Sequence, residues 1–306
     1  MNTAAKLAAF AAVVAVGFGG AAAVGAAVGP IDVGGDAAHS THSTGEAAGS
    51  ELLPGLAVAE AGYRLAVDTP TITADVPVSF GFSILDDSGS PVTRFDQLHE
   101  RSLHLIVMSR NLVDYRHLHP MMDAGGHWTV ALPALAAGSY RFFADFQPAG
   151  AANLTLGTDI TIPGNVDSVA LPPPAPVALI DGYDVTMAGM PAIGNSELSF
   201  TVGLDGQNVQ TDPYLGAAGH LVVIRTGDLA YLHVHPHADD TTRTVNFTAE
   251  FPTAGTYRLF FEFSHTGTVY TATFTVSIES GRHTDTMETM GTMGTMGTMG
   301  THEEGH

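Results

Sequence analysis

Apolar residues are distributed along this chain in three ways, and each predicts a different kind of segment. The first is an unbroken run. LAAFAAVVAVGFGGAAAVGAAVG, from Leu7 to Gly29, carries no charge over 23 residues. About 20 apolar residues cross a bilayer as a helix, and Lys6 ahead of the run argues for a cytoplasmic N-terminus. A cleaved signal peptide is the rival reading of residues 1–29: the start is charged and the end is rich in small residues, although the run is long for an h-region. Both readings export the rest of the chain, either anchored to the cytoplasmic membrane or secreted.

The second distribution is short and alternating. VPVSFGFSI, LHLIVMS, YRFFADF and LTLGTDITI are β-branched or aromatic runs separated by Gly, Pro, Asp and Asn turns. No amphipathic helical window of useful length occurs outside the N-terminal run. The pattern also repeats. A block opening GYRLAV at Gly62 and closing GSYRFFADF at Gly138 is matched by GYDVTM at Gly182 and GTYRLFFEF at Gly255. This predicts an all-β protein of two tandem Ig-like or cupredoxin-like β-sandwiches, residues 57–163 and 177–279. A flexible tether, 30–56, precedes them, and a Pro-rich linker, 164–176, joins them.

The third distribution is a methionine every third residue. Met287, Met290, Met293, Met296 and Met299 recur in Thr-Met-Gly units, with His302 and His306 beyond. Such units build no core, so residues 280–306 read as a disordered tail. Thioether sulfur is a soft donor that suits Cu(I). Repeat slippage producing a plain spacer is the competing account.

The repeat carries its chemistry in two segments. HLIVMSRNLVDYRHLHP (His104–Pro120) and HLVVIRTGDLAYLHVHP (His220–Pro236) hold three histidines each at identical offsets, 116 residues apart. Read as hairpins with turns centred on Arg110-Asn111 and Thr226-Gly227, they set His104 opposite His117 and His220 opposite His233. His119 and His235 follow two residues on and share that sheet face. The expectation is a solvent-facing His triad in each domain. Neutral imidazole ligates Cu, Zn or Ni, and three ligands leave a position open. A bulged loop would shift the register by one and break the pairing. The plain alternative is packed, hydrogen-bonded histidines at the ends of strands. Asp145 and Glu262 occupy equivalent places in the aromatic strands and either orient a ligand His or pair with Arg141 and Arg258, four residues earlier. His99, Met108, Met121, Met122, His127, His237 and His265 lack matched partners and read as peripheral, as do His39 and His42 in the tether.

Charge and composition narrow the function. Thirty-one acidic against 11 basic residues give a net charge of −20, which repels nucleic acid and favours cations. The absence of cysteine excludes disulfides, thiolate zinc sites, iron–sulfur clusters and blue copper.

LHERSLHLIVMSRNLVDYRHLHP with HWTVALPALAAGSYRFFADFQP, and PYLGAAGHLVVIRTGDLAYLHVHP with FPTAGTYRLFFEF, resemble a YtkA-like or FixH-like family of exported or membrane-anchored bacterial proteins common in actinobacteria. The resemblance implies an extracytoplasmic β-sandwich related to heavy metals or copper, and it carries over no ligand set. The leading functional reading is extracytoplasmic metal binding, with Cu(II) at the His sites and Cu(I) at the Met tail, and zinc as the alternative metal. A structural or adhesive cell-envelope protein with structural histidines is the second reading. A metallohydrolase or oxidase comes third, because paired carboxylates, a nucleophile elbow, a phosphate loop and HExxH are all missing from the sequence.

Overall fold

The computed structural model describes residues 53–166, 168–232, 234–237 and 243–280. The N-terminal run and the Met-rich tail lie outside the described residues, as does His233. Every regular element among the described residues is a β-strand.

The first repeat contains β1 (Ala59–Glu60), β2 (Tyr63–Val67), β3 (Val78–Leu85), β4 (Phe95–Asp96), β5 (Leu103–Ser109), β6 (Tyr115–Leu118), β7 (Met121–Met122), β8 (His127–Leu132), β9 (Gly138–Pro148) and β10 (Leu154–Ile162). They form two antiparallel sheets, β1-β2-β3-β8-β7 and β10-β9-β5-β6, with β4 paired to β9. The second repeat contains β11 (Val177–Ile180), β12 (Tyr183–Ala188), β13 (Gly194–Leu204), β14 (Gln207–Val209), β15 (His220–Arg225), β16 (Tyr231–Leu232), β17 (Val234–Pro236), β18 (Thr244–Phe251), β19 (Gly255–His265) and β20 (Thr268–Ile278). Its sheets, β11-β12-β13-β18-β17 and β16-β15-β19-β20, repeat the same order, with β14 added to β13. The described residues are therefore all-β, two tandem Ig-like sandwiches.

Period-two alternation builds each core. Phe80, Phe82 and Ile84 of β3 meet Trp128 of β8 and Phe142 and Phe146 of β9. Phe200, Phe247, Phe261 and Phe274 do the same in the second repeat. The strands that read as continuous apolar runs behave differently, since all seven residues of β5 are buried. Leu103, Leu105 and Val107 point into their own sandwich. Ile106 and Met108 point out, into a third cluster with Leu112, Tyr115, Phe143, Val222, Ile224, Leu229, Tyr231 and Phe260. A strand covered on both faces has no polar side to show. The covering on the outer face is the other repeat.

The interface is self-complementary. Tyr115 of β6 stacks on Phe260 of β19, with ring centroids 4.3 Å apart. The equivalent Tyr231 of β16 meets Phe143 of β9 at 5.7 Å. Each repeat thus presents the same patch to the other, as in an isologous dimer. The end of the expected tether joins this interface. Pro54 O accepts from Tyr231 N at 2.9 Å, and Arg141 Nη2 donates to Gly55 O and Leu56 O, both at 2.7 Å. Residues 54–56 therefore belong to the fold.

Candidate metal centre

His104 is the second residue of β5 and His220 the first of β15. On β5, His104 lies across from Asp145 of β9, and on β15, His220 lies across from Glu262 of β19. Both histidines sit on the outer, inter-repeat face. The hairpin register differs from the expected one by two residues in each copy. Ile106, rather than His104, pairs with His117, and Val223 pairs with Leu232. The turns centre one residue later than Arg110-Asn111 and Thr226-Gly227. An even shift preserves the sheet face, so His104, His117 and His119 still meet, with His104 diagonal to His117. The solvent-facing placement is overturned, because the second repeat packs over them.

Three hydrogen bonds link four groups in series. His104 Nε2 donates to Leu98 O at 2.9 Å. His104 Nδ1 lies 2.8 Å from His117 Nε2. His117 Nδ1 lies 2.6 Å from Glu262 Oε2, a bond that crosses from one repeat to the other. Proton positions follow from the end of the chain. A carbonyl only accepts, so the His104 proton is on Nε2 and a neutral His104 accepts at Nδ1. His117 then donates from Nε2, which leaves its Nδ1 to accept a proton from a protonated Glu262. Burial supports this assignment: Glu262 is 3% exposed and its pKa is pushed up to about 8. The contact is a neutral hydrogen bond rather than an ion pair.

The imidazoles are held neutral for the same reason. Burial pushes His117 and His220 well below the ordinary histidine value, with neighbouring histidines adding to it. Burial, then His117 and His104, pushes His119 down to about 3. His104 is lowered chiefly by burial. Four uncharged rings at neutral pH need not shed the extra proton of an imidazolium before one of their nitrogens ligates.

Two groups of donors stand within 4.8 Å of one another: His104, His117 and His119; and His117, His220 and Glu262. Tetrahedral coordination at 2.0–2.1 Å places ligand nitrogens roughly 3.3 Å apart, so small movements would close either group on an ion. Among the described residues, His119 Nε2 is a buried atom without a hydrogen-bond partner. Buried polar atoms are normally paired, which makes this one a candidate donor. Tyr115 has its pKa raised by burial and by nearby Glu262. A groove of about 710 Å³, lined by His117, His119, Met121, Val78 and Val130, opens beside the triad.

The other expected site residues are placed as follows. His235 is exposed and pairs with Thr248 on the opposite sheet, because β17 leaves β16 for β18. It does not join the triad geometry expected for the second copy. Asp145 is held by Asn153 Nδ2 and Thr155 Oγ1, at 3.0 and 3.1 Å. Neither carboxylate pairs with its arginine: Arg141 bonds Asp159, and Arg258 bonds Thr275. His233, Met287, Met290, Met293, Met296, Met299, His302 and His306 lie outside the described residues, as do His39 and His42. His99 was read as peripheral, yet its ring lies 5.5 Å from that of His220 and 6.0 Å from that of His104. Its signal in the sequence is closeness to His104, five residues on, and it has no histidine at the matching offset in the second repeat. His127, His237 and His265 are engaged elsewhere, by Asp68, Glu197 and Tyr183.

A family model described as a domain of unknown function (DUF8832) matches residues 57–161 and again 178–280. No curated protein matches the sequence. Among solved structures, the chain is similar to the Escherichia coli adhesin FdeC, at 13% identity and TM-score 0.24, over 72% of this chain and 64% of that one. It is similar to Yersinia pseudotuberculosis InvD at 17% and 0.25, over 72% and 58%. Surface layer protein SbsC, domains 4–9, gives 14% and 0.22, over 71% and 31%. The chain spans less than two thirds of each of these proteins, and at such scores the likeness carries no argument about function. The two matched stretches cover more than half of the chain, one per sandwich, and the protein belongs to the family of this domain of unknown function, DUF8832.

Proposed function

We propose that this is an extracytoplasmic metal-binding protein in which the first repeat supplies the ligands His104, His117 and His119 and the second repeat orients them. The observation that carries this is the His104–His117–His119 cluster with an unpartnered, buried His119 Nε2. Leu98 O fixes the His104 tautomer so that Nδ1 carries the lone pair, which in the metal-free chain accepts from His117 Nε2. When an ion takes His117 Nε2, that nitrogen loses its proton and Glu262 passes its own to His117 Nδ1. The result is a carboxylate–histidine–metal arrangement with the carboxylate ionised. One proton is released per ion. The groove lined by His117, His119 and Met121 would give a bound ion access from outside. Imidazole ligands suit Cu(II), with zinc as the alternative. Export rests on the N-terminal apolar run, and capture of Cu(I) rests on the Met-rich tail.

The test is titration of Cu(II) and of Zn into the full chain and into His117→Ala/His119→Ala. The chain is expected to bind one ion more tightly than the double variant does, below micromolar. Equal binding by the two proteins would sink the reading.

A second reading has its own observation. The Leu98–His104–His117–Glu262 series is satisfied without an ion and ties one repeat to the other. On that reading the histidines are mortar in a structural or adhesive cell-envelope protein. Added metal would then leave Tm unchanged, whereas an ion bound only by the folded chain raises it.

A further inference from the structure

The hairpins that open the two repeats share a turn and differ in what precedes it. Each turns through a left-handed pair, Ala61-Gly62 at φ of 50° and 82° and Asp181-Gly182 at 46° and 87°, the backbone of a two-residue type I′ turn. In the first repeat the strand before the turn leaves its sheet early. Val58 O accepts from Leu65 N at 2.9 Å, and the chain on its other side belongs to β10, where Ala57 O accepts from Gly157 N at 2.8 Å. In the second repeat the strand stays. β11 and the residue before it follow β12 as far back as Pro176, whose carbonyl accepts from Met187 N at 2.8 Å.

That difference decides which backbone groups are left over at the sheet edge. Along an antiparallel ladder, alternate residues bond the neighbour on one side, and those between them point their N–H and C=O to the other. The Pro176–Met187 bond places Pro176, Ala178 and Ile180 on the β12 side, so Val177 and Leu179 turn their backbone outward. β11 is the last strand of its sheet among the described residues. In the first repeat the same count leaves Ala59 outward alone, because Ala57 O is already taken by Gly157. Side chains reinforce the contrast. Val177 and Leu179 are 45% and 82% exposed, and no charge lies between Pro176 and Asp181. β1 is two residues long and carries Glu60. Exposed edges are ordinarily kept short or charged, and β11 has no such guard.

We infer that β11 is the docking edge for a second copy of this chain, paired antiparallel about a twofold axis through Ala178. Only outward residues bond across such an edge, so Val177 falls opposite the partner's Leu179 and Leu179 opposite the partner's Val177. Each pair exchanges two main-chain hydrogen bonds. Opposed residues share a sheet face, so two valines and two leucines close into one apolar cluster on the continuous sheet. The segment suits its own copy because its outward residues are two apart, apolar and uncharged. In this register Asp181 meets the partner's Ala175 instead of a second carboxylate, which avoids like-charge repulsion. Pro172, Pro173 and Pro174 stop the ladder from lengthening. So short a contact falls below the roughly 1,200–2,000 Å² of a stable complex, and the dimer is weak and concentration-dependent. It needs no metal, and it stands or falls apart from the reading of the histidine cluster.

Sedimentation of the full chain, in detergent that shields its apolar N-terminal run, measures the dimer as concentration rises. The wild type is expected to dimerise progressively. Val177→Lys/Leu179→Lys is expected to lose the dimer and keep the wild-type Tm, since both side chains are exposed. A cross-link gives a check that does not depend on disrupting the edge. The chain has no cysteine, so one introduced thiol reports its own neighbour. Ala178 faces its own copy in a non-hydrogen-bonded pair, with Cα atoms about 4.5 Å apart, within disulfide range. Under mild oxidation Ala178→Cys is expected to form the disulfide-linked dimer faster than Ala59→Cys, at the equivalent edge of the first repeat. The inference is overturned by a wild type that stays monomeric throughout, by an undiminished dimer in the double-lysine variant, or by Ala178→Cys cross-linking no faster than Ala59→Cys.

Discussion

Glu262 and the four buried histidines pull stability in opposite directions as pH changes. The histidine values are lowered by burial, so on acidification below about 6.5 the unfolded chain takes up protons before the folded one does. Stability is therefore lost as pH falls through that range. Glu262 is raised to about 8, so the folded chain keeps a proton that the unfolded chain has already released. That contribution is full below the ordinary carboxylate value and is lost as pH rises towards 8. Between the two carboxyl values the four rings outweigh one carboxyl until they are all neutral. The metal-free protein is expected to melt highest near pH 6.5–7, by about where the free imidazole titrates, and lower on both sides. Thermal melts from pH 5 to 9 check this, and Glu262→Gln should flatten the alkaline limb. A Tm rising steadily from pH 6 to 9 would show that Glu262 is ionised in the fold.

The strands carry a different lesson. The run LHLIVMS was legible as a strand, and its equal offsets in the two copies were legible as a repeat. What covers the second face was not, because an apolar side chain records that it is buried and not what buries it. The hairpin centre was displaced by one residue in each copy, and the error cancelled in the face prediction because the register moved by two. His235 shows the converse. Its offset matches that of His119, yet β17 crosses to the other sheet and takes it away, which depends on long-range pairing rather than local pattern. The segment before β1 is also more than a tether. Gly55 has φ of 76°, and a Cβ there would lie 2.6 Å from the Phe143 ring. Gly55→Ala combines backbone strain with a clash at the inter-repeat cluster. It is expected to destabilise by about 1–3 kcal/mol in urea unfolding, while Gly89→Ala, with open space around it, should cost less. Equal costs would mean that residues 54–56 are not part of the packed unit.

At the scale of the whole molecule, the described residues bring three histidines of the first repeat together with His220 and Glu262 of the second at one inter-repeat face. The outer faces of the two aromatic sheets bury Tyr115 on Phe260 and Phe143 against Tyr231. That contact delivers Glu262 of the second repeat to His117 of the first. An acidic chain with a net charge of −20 attracts cations in general. The dependence of a first-repeat triad on a second-repeat carboxylate is the central claim, and calorimetric titration of Cu(II) into the full chain and into Glu262→Gln tests it most directly. The account predicts binding roughly 10–100-fold weaker in the variant, together with loss of the single proton released per ion, read from titrations in buffers of different ionisation enthalpy. Unchanged affinity and proton release in Glu262→Gln, or a wild-type chain that binds no ion, would contradict it.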